Sequence, residues 1–458
     1  MRLKIAQGHL YDPAQGWDGE VGDLYVEGER LVAPLAEVDL VIDAQGQMVL
    51  AGGIDLRGQV ATYGLNMLRL WGRLPSPQQI GELYAGLGYT HVHEPFLTLY
   101  TAKYVHRELS ALPIVDTSAS LALNLRDLDK WLRAPEQLGE VEQNIQFLVE
   151  QTRALNVRIT EPYVRFRQDY YAHRNIATEN LVEILASLAQ RQNCPLTLEA
   201  SPELLRQPLP EPAAFHLAAL GPALTEVELV QAALNHLEQG GTADLGLMQP
   251  SGYESWPNLP VQINMGFFHP LDLCPRPSKG AAARALELAL QYQGANLAFS
   301  GAGPFQAPVS GYARMFSWLT DPRARLQDWG TELGDRAYSL ADWINMTRTL
   351  PARLLGLKDR GHLSVGARAD LAIYNLPKIT DKINWSKHLG RCRTLLKAGT
   401  RVIDNFNLIN PEIAKATYYL QTGSEASPWL GEMCQYRSFR LENLWVHDHL
   451  GGDWVGVQ

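Results

Sequence analysis

The sequence predicts an α/β protein that combines a (β/α)8 barrel with a small β-sandwich unit built from both chain ends. The first 50 residues alternate short β-rich runs with Gly, Asp and Pro, which is typical of strands and turns. From residue 51 to about 301, helices followed by apolar strands recur, with room for about eight parallel strands. Strand signals return in the tail. We therefore expect a barrel over 51–354 and a β unit over 1–50 and 355–458.

An open doubly wound sheet is the alternative to the barrel. It is less favoured because no GxGxxG follows an early strand, as nucleotide-binding sheets of that kind would require. The barrel also explains why the order along the chain is β, then α/β, then β again. A β unit split between the chain ends, with the barrel inserted into it, produces that order.

Each part of this prediction rests on short segments of the chain. Near the start, β-rich runs are "LKIAQGHLYDP", "GDLYVEGERLVAP" and "VDLVIDAQGQMVLAG". In the barrel, Ser76 and Pro77 begin a helix that Gly88 ends, and the strand "YTHVHEP" follows. Later helix and strand pairs are "LVEQTRAL" with "NVRITEP", "TENLVEILASLAQRQ" with "CPLTLEA", and "AAARALELALQYQG" with "ANLAFSG". The tail contributes "GHLSVGARADLAIYNL" and "CRTLLKAGTRVIDN".

Composition excludes several classes of protein. The chain has 458 residues, with 46% hydrophobic and 19% charged residues, so a large folded core is expected. A net charge of -9 gives no general reason to bind nucleic acid. No apolar run has the length of a membrane span, and the N-terminal residues "MRLKIAQGHLYDP" have no apolar core of signal-peptide length. Four widely spaced cysteines favour a reduced, cytoplasmic setting.

The segment "RTLPARLLGLKDRGHLSVGARADLAIYNL", residues 348–376, resembles the C-terminal signature of the amidohydrolase superfamily. Within that superfamily, residues 88–116 and 286–321 are similar to blocks of the A subunit of formylmethanofuran dehydrogenase. The chain also resembles its bacterial counterpart, the A subunit of formyltransferase/hydrolase complexes in one-carbon metabolism. The resemblance covers nearly the whole chain. It implies a barrel of amidohydrolase type and partners that are the other subunits of such a complex.

The resemblance also implies a chemistry, which is a two-metal centre that cleaves or forms a formyl amide. Its ligands would be two histidines on the first strand, a carboxylated lysine, two later histidines, and an aspartate on the last strand. In this sequence the corresponding places hold other residues, and only the aspartate that precedes the histidine pair remains. The positions are Asp55, which remains, and Arg57, Gln59, Arg158, Glu199, the vicinity of Ala219 with His216, and Gly301.

These substitutions predict that the metal ligands have been lost. An arginine cannot form a lysine-type carbamate and stays protonated in proteins. We expect Arg57 and Arg158 to fill the former metal space and to pair with Glu161 or Glu199, because buried charges must be paired. Either glutamate could instead act as the base of a hydrolase without metal. No metal is then expected, and zinc is the alternative.

Two further groups are possible ligand-binding residues. His93, with His91, ends the strand "YTHVHEP" and forms either a relocated site or a packed, hydrogen-bonded pair. Arginines in "YVRFRQDYYAHR" follow the fourth barrel strand, and with three tyrosines they could clamp an anionic, aromatic substrate or lie on a solvated face. These arginines are Arg165, Arg167 and Arg174.

The sequence therefore leaves two functions open. In the first, the chain is a catalytically degenerate A subunit that acts as a scaffold and docks a methanofuran- or methylofuran-type formyl carrier. In the second, it is an active hydrolase that cleaves the formyl amide C–N bond of that carrier and releases formate. Neither function involves nucleic acid or a membrane.

Overall fold

The computed structural model of the chain contains two sheets and the helices that pack on them. The residues it describes are 1–61, 75–124, 138–160, 185–186, 195–207, 209, 211–247, 279–292, 294–301, 309–330, 336–375, 385–428, 430–431 and 440–457. Among these residues, no helix combines the length and the apolar character that crossing a bilayer requires.

The first sheet is built from both chain ends. Its strands run in the order β17-β16-β15-β14-β5-β1-β2-β3, with β4 also beside β1, and the central pair β5 and β14 joins the two ends antiparallel. Alternating residues of β1 are buried, so one face packs on an apolar core that includes Leu3, Ile5 and Ile373. The strands are β1 Arg2–Asp12, β2 Trp17–Glu27, β3 Arg30–Val32, β4 Leu40–Asp43, β5 Gln47–Ala51, β14 Leu371–Asn375, β15 Thr394–Lys397, β16 Thr400–Asp404 and β17 Asn407–Leu408.

The second sheet contains eight parallel strands that neighbour each other in chain order, from β6 to β13. They fall between residues 53 and 298, so the prediction of about eight parallel strands in this region is confirmed. The strands are β6 Gly53–Asp55, β7 Tyr89–Leu97, β8 Asp116–Asn124, β9 Asn156–Thr160, β10 Leu196–Glu199, β11 Phe215–Ala218, β12 Thr242–Asp244 and β13 Leu297–Ala298.

Helices alternate with these strands, as the sequence predicts. Ser76 caps the first one with a reciprocal capping box, and Gly88 follows it with a φ of +83°. The predicted helix over 178–192 lies almost entirely outside the described residues. The helices are α1 Pro77–Gly86, α2 Ala102–Ser110, α3 Leu138–Gln151, α4 Pro202–Leu205, α5 Leu220–Ala223, α6 Val227–Glu238, α7 Lys279–Gln291, α8 Tyr312–Thr320, α9 Pro322–Trp329, α10 Leu340–Ile344, α11 Leu350–Leu354 and α12 Trp385–Leu389.

The end strands of the parallel sheet, β6 and β13, are bridged by one continuous helical segment. A π-helical stretch, Asn345–Thr349, connects α10 to α11 and packs against both strands. Ile54, Ala298 and Leu350 share one apolar cluster there. The eight parallel strands and the separate sheet built from the chain ends match the predicted barrel and β unit.

The last two strands join the barrel sheet rather than the sheet built from the chain ends. β18, Ala416–Leu420, runs parallel to the start of β8, and β19, Asp453–Val457, lies beside β18. Both fall inside the segment 355–458 that was predicted to complete the β unit. The predicted domain bounds stay a prediction.

Buried ion pairs connect the two sheets at the N-terminal end of the barrel. The Arg360 guanidinium donates to Asp116 at the start of β8 (2.5 Å) and to Asp370 just before β14 (2.9 Å). The ammonium of Lys397 on β15, which is fully buried, lies 2.5 Å from the other Asp116 oxygen. Because these charges are removed from water, each depends on its partner for compensation.

Candidate functional site

The interior of the barrel is unusually polar. On β9, Val157 and Ile159 belong to the apolar core beneath the helices, so Arg158 between them faces the barrel interior. Barrel interiors of this kind are ordinarily filled by Val, Ile and Leu. Here the alternate positions of neighbouring strands carry buried polar side chains: His93, Ser118, Ser120, Asn156, Thr160, Thr197, His216, Thr242 and Asp244.

Two arginines meet one glutamate near the C-terminal ends of the strands. Arg57, just after β6, donates from Nη2 to Glu199 Oε1 at 3.0 Å, and β10 lies four strands away, so the pair crosses the barrel. Arg158 Nε donates to Glu199 Oε2 at 2.8 Å, and its Nη2 bonds to the same oxygen. Of the two expected partners, Glu161 or Glu199, the structure pairs both arginines with Glu199, and Glu161 lies outside the described residues.

The charged trio is almost completely enclosed. The Arg57 and Arg158 side chains are 0% and 4% exposed, and that of Glu199 is 18% exposed. Both guanidiniums lie near the Phe96 ring, whose centroid is 5.9 Å from Arg57 Cζ and 5.0 Å from Arg158 Cζ. Its π face adds cation–π attraction to the ion pairs. Of the three charged side chains, Glu199 is the one that approaches solvent most closely.

Asp55 supports the turn that carries Arg57. Its Oδ1 accepts from the Arg57 backbone N–H and from the Tyr312 hydroxyl, both at 3.0 Å, and its Oδ2 accepts from the Tyr84 hydroxyl at 2.5 Å. Burial raises the pKa of the Asp55 carboxyl, although these hydrogen bonds oppose the shift. Asp55 thus holds the backbone of the turn and points both oxygens at protein donors.

A second carboxylate belongs to Asp244, the last residue of strand β12. It was not among the residues predicted from the sequence. It accepts from the Ala219 backbone N–H at 3.0 Å and from the Ser300 hydroxyl, and His216 Nε2 lies 3.2 Å from its Oδ2. Burial alone would raise its pKa. The His216 contact and the positive charges of Arg57 and Arg158 instead bring it well below the usual range. Asp244 therefore contributes a fixed negative charge to the same interior.

The two histidines of β7 form a hydrogen-bonded chain with β8. His91 Nε2 and His93 Nδ1 both lie 2.8 Å from Ser118 Oγ, and His93 Nε2 lies 2.7 Å from Ser120 Oγ. Ser120 donates its single hydrogen to Asn156 Oδ1, so His93 Nε2 must carry the hydrogen that it shares with Ser120. The chain then runs in one direction, from His91 through Ser118 and His93 to Asn156.

Burial keeps both histidines of this network neutral, because it lowers their pKa values. Burial, together with the nearby Arg158 charge, lowers the pKa of His93 to about 3. The two ring nitrogens of His93 are both occupied by serine hydroxyls. Of the two interpretations of His93, the geometry matches a packed, hydrogen-bonded histidine.

Gln59 stands out among the predicted positions. Its backbone has a φ of +46°, which is strained for a residue other than glycine, and the residue is 4% exposed. Its Nε2 has no hydrogen-bond partner within the described part of the chain. Gly301 only donates its backbone N–H to the Tyr312 hydroxyl, at 3.0 Å. The remaining predicted positions, Arg165, Arg167 and Arg174, lie outside the described residues.

The donor set does not fit a pair of divalent metal ions. Metal ligands must offer deprotonated nitrogen or oxygen lone pairs, and two guanidiniums offer none. Both oxygens of Glu199 already accept from those guanidiniums. In the part of the chain that the structure describes, no three His, Cys, Asp or Glu side chains gather where they could hold a metal.

Comparison with known proteins identifies similar chains. Residues 290–403 match the model of the amidohydrolase family. This range contains the segment 348–376, which resembles the C-terminal signature. FwdA of Methanocaldococcus jannaschii is 23% identical over 561 aligned positions, which cover 99% of this chain and 98% of FwdA. The A subunit of the Fhc formyltransferase/hydrolase complex of Methylorubrum extorquens is 25% identical, with 89% of each chain covered.

Solved structures agree with this comparison. A chain of the M. extorquens FhcABCD crystal structure, determined in complex with methylofuran, superposes with a TM-score of 0.82. It is 22% identical and covers 100% of this chain and 99% of its own length. This chain resembles the amidohydrolase-type A subunits. A β-aspartyl dipeptidase of Fervidobacterium islandicum shares the fold at a TM-score of 0.54 and 14% identity, covering 90% of this chain and 98% of its own. The resemblance that the sequence predicts is therefore confirmed.

Proposed function

We propose that this chain is the A subunit of a cytoplasmic formyltransferase/hydrolase complex, in which it acts as a scaffold and docks the formyl carrier without metal-dependent hydrolysis. Similarity over nearly the whole chain to FwdA, and to the corresponding chain of the Fhc complex, supports the subunit role. The ion pairs that join Arg57 and Arg158 to Glu199 support the loss of the metal centre. That geometry is the single observation on which the proposal depends.

The physical argument concerns charge in a closed space. A guanidinium stays protonated, so it can neither bind a metal nor carry the carbamate that would bridge two ions. Two buried positive charges where cations would be held also repel any metal that approaches. Glu199 pairs with both arginines, and releasing it to bind a metal would take their shared carboxylate away from two buried positive charges.

The same interior offers groups that suit a carbonyl ligand. The Gln59 Nε2 is a buried donor without a described partner, and an amide N–H group pairs well with a formyl or carboxylate oxygen. Glu199 is the member of the charged trio that approaches solvent. We propose that a methanofuran- or methylofuran-type carrier places a carbonyl oxygen against Gln59. In that arrangement the chain positions the carrier and does not activate water.

Two measurements on the purified full chain test the proposal. We expect no stoichiometric zinc in elemental analysis and no formate release from formylated carrier by the isolated chain. About two zinc ions per chain, or formate release that Glu199→Gln abolishes, would show an active hydrolase instead. The subunit role is tested separately, by copurification from cells: we expect the other subunits of the complex to accompany the chain, and a chain that always purifies alone would contradict that role.

A further inference from the structure

A small cavity lies outside the barrel interior, at the seam between the barrel and the sheet built from the chain ends. It is bordered by the start of β7, by α8, by the π-helical stretch and by β14. Tyr89, Tyr312, Trp343, Arg348 and Tyr374 line it. Its volume suits a single small guest. Arg57, Arg158 and Glu199 do not line the cavity, although Tyr312, which does, also donates to Asp55.

Arg348 is a buried cation whose hydrogen-bond acceptors are all neutral. Its Nε donates to the Ala51 carbonyl at 3.1 Å, its Nη2 donates to the Tyr374 hydroxyl at 3.3 Å, and its Nη1 bonds to the Thr347 hydroxyl. The residue is 1% exposed. Within the described residues, no carboxylate lies at ion-pair distance from it, unlike the buried guanidiniums of Arg57, Arg158 and Arg360.

That arrangement is costly unless something compensates the charge. Buried charges in proteins are ordinarily paired, because removing an ion from water costs several kcal/mol. Arg348 also lies in the π-helical stretch, a helix type that is rare and frequently marks functional sites. The position therefore calls for a negative partner close to the guanidinium.

Tyr89 supplies the second polar group of the cavity. Its hydroxyl is buried and has no hydrogen-bond partner among the described residues. A buried hydroxyl without a partner calls for an explanation, and an acceptor inside the cavity would provide one. The Tyr89 ring lies 5.8 Å from Arg348 Cζ, so both groups border the same small space.

We propose that this cavity binds a single small anion of halide size, held by the Arg348 guanidinium and the Tyr89 hydroxyl. An anion satisfies both groups at once, whereas a water molecule would satisfy the hydroxyl and leave the positive charge uncompensated. The guest also touches elements of both sheets, since Tyr89 begins β7 and Tyr374 lies on β14. Its binding stabilises the contact between the two units and does not depend on the function proposed above.

The experiment measures the anion dependence of thermal stability. Tm of the full chain is compared in sodium chloride, sodium bromide and sodium gluconate at equal ionic strength, because gluconate is too large for the cavity. At ten times the dissociation constant of the halide, Tm should rise by about 1–2 °C relative to gluconate. A crystal grown in bromide should show an anomalous peak between Arg348 and Tyr89.

Three variants separate this site from general salt effects. Arg348→Met and Tyr89→Phe should each lose the halide-dependent rise in Tm. Tyr338→Phe, which removes another buried tyrosine hydroxyl that donates to the Ala289 carbonyl, should keep it. Equal Tm in all three salts, no bromide peak in the cavity, or a halide response that survives in Arg348→Met would overturn the proposal. If Arg348→Met does not fold, the bromide peak and Tyr89→Phe still decide the question.

Discussion

Replacing Glu199 by glutamine tests the central feature of the barrel interior. The substitution Glu199→Gln keeps the size and one acceptor oxygen of the side chain, but it removes the negative charge that both arginines share. Arg57 is then left fully buried, and Arg158 nearly so, without their common carboxylate. We expect a large loss of stability and no change of fold.

The magnitude follows from the geometry. With nitrogen–oxygen distances of 3.0 and 2.8 Å, the charge centres of each pair lie about 4 Å apart. At the effective dielectric constant of about 20 that suits protein sites, each attraction is about 4 kcal/mol. The glutamine still accepts a hydrogen bond and Asp244 still acts on both arginines, so the net cost should match the ~3–5 kcal/mol typical of breaking a buried pair.

Urea unfolding followed by far-ultraviolet circular dichroism measures this cost. A matched triple variant, Arg57→Met with Arg158→Met and Glu199→Leu, removes all three charges and should recover most of the lost stability. A Glu199→Gln protein as stable as the parent would refute the buried pairing. A triple variant as unstable as Glu199→Gln would assign the loss to packing rather than to charge.

Three further predictions concern other parts of the barrel. Gln59→Gly relieves a left-handed backbone and should raise the free energy of unfolding by up to about 1 kcal/mol. The same substitution should weaken carrier binding about tenfold in calorimetric titration. Gln7→Gly, which relieves a similar φ of +57° at an exposed site, should stabilise the protein without affecting carrier binding. Burial alone would raise the pKa of Asp116, but the two buried cations beside it bring that pKa below the usual range. The contribution of the Asp116 carboxylate to folding stability is therefore present above about pH 4 and is lost as the pH falls further. Asp116→Asn should flatten the acid limb of a curve of stability against pH. Ser118→Ala leaves nitrogens of two buried histidines without partners and should cost about 1–3 kcal/mol in urea unfolding, whereas Ser110→Ala, at a more exposed hydroxyl, should cost almost nothing.

The sequence predicts those parts of the structure that depend on local pattern and parallel topology. Helix caps such as Ser76 and apolar runs such as "NVRITEP" identify the barrel units because their signals are contained in a few consecutive residues. The pairing of Arg57 and Arg158 with Glu199 is also predictable, since residues at the ends of parallel barrel strands converge. Charge balance in a closed interior then limits the possible partners.

Other features could not be predicted because their partners are distant in the chain. Asp244 is a lone carboxylate in "GTADLG", and its partners His216 and Ser300 lie 28 and 56 residues away. The sequence of β18 does not indicate that this strand pairs with β8, because the pairing joins Thr417 to Thr117, which is distant in the chain. Only the packed fold brings these residues together, so no short pattern in the sequence can indicate them.

Positive and negative charges of the described barrel interior compensate one another. Carboxylates that face a closed barrel need positive charge nearby, because each is costly to bury alone. Arg57 and Arg158 provide it: they pair directly with Glu199 and help to hold the pKa of Asp244 low. The pKa of Asp55 is raised, because burial outweighs the hydrogen bonds that its carboxylate accepts. Removing either arginine should therefore raise the pKa of Asp244, a shift that carbon-13 NMR of labelled aspartate would detect. A pKa unchanged in Arg158→Met would show that the guanidiniums do not replace the charge of a metal centre.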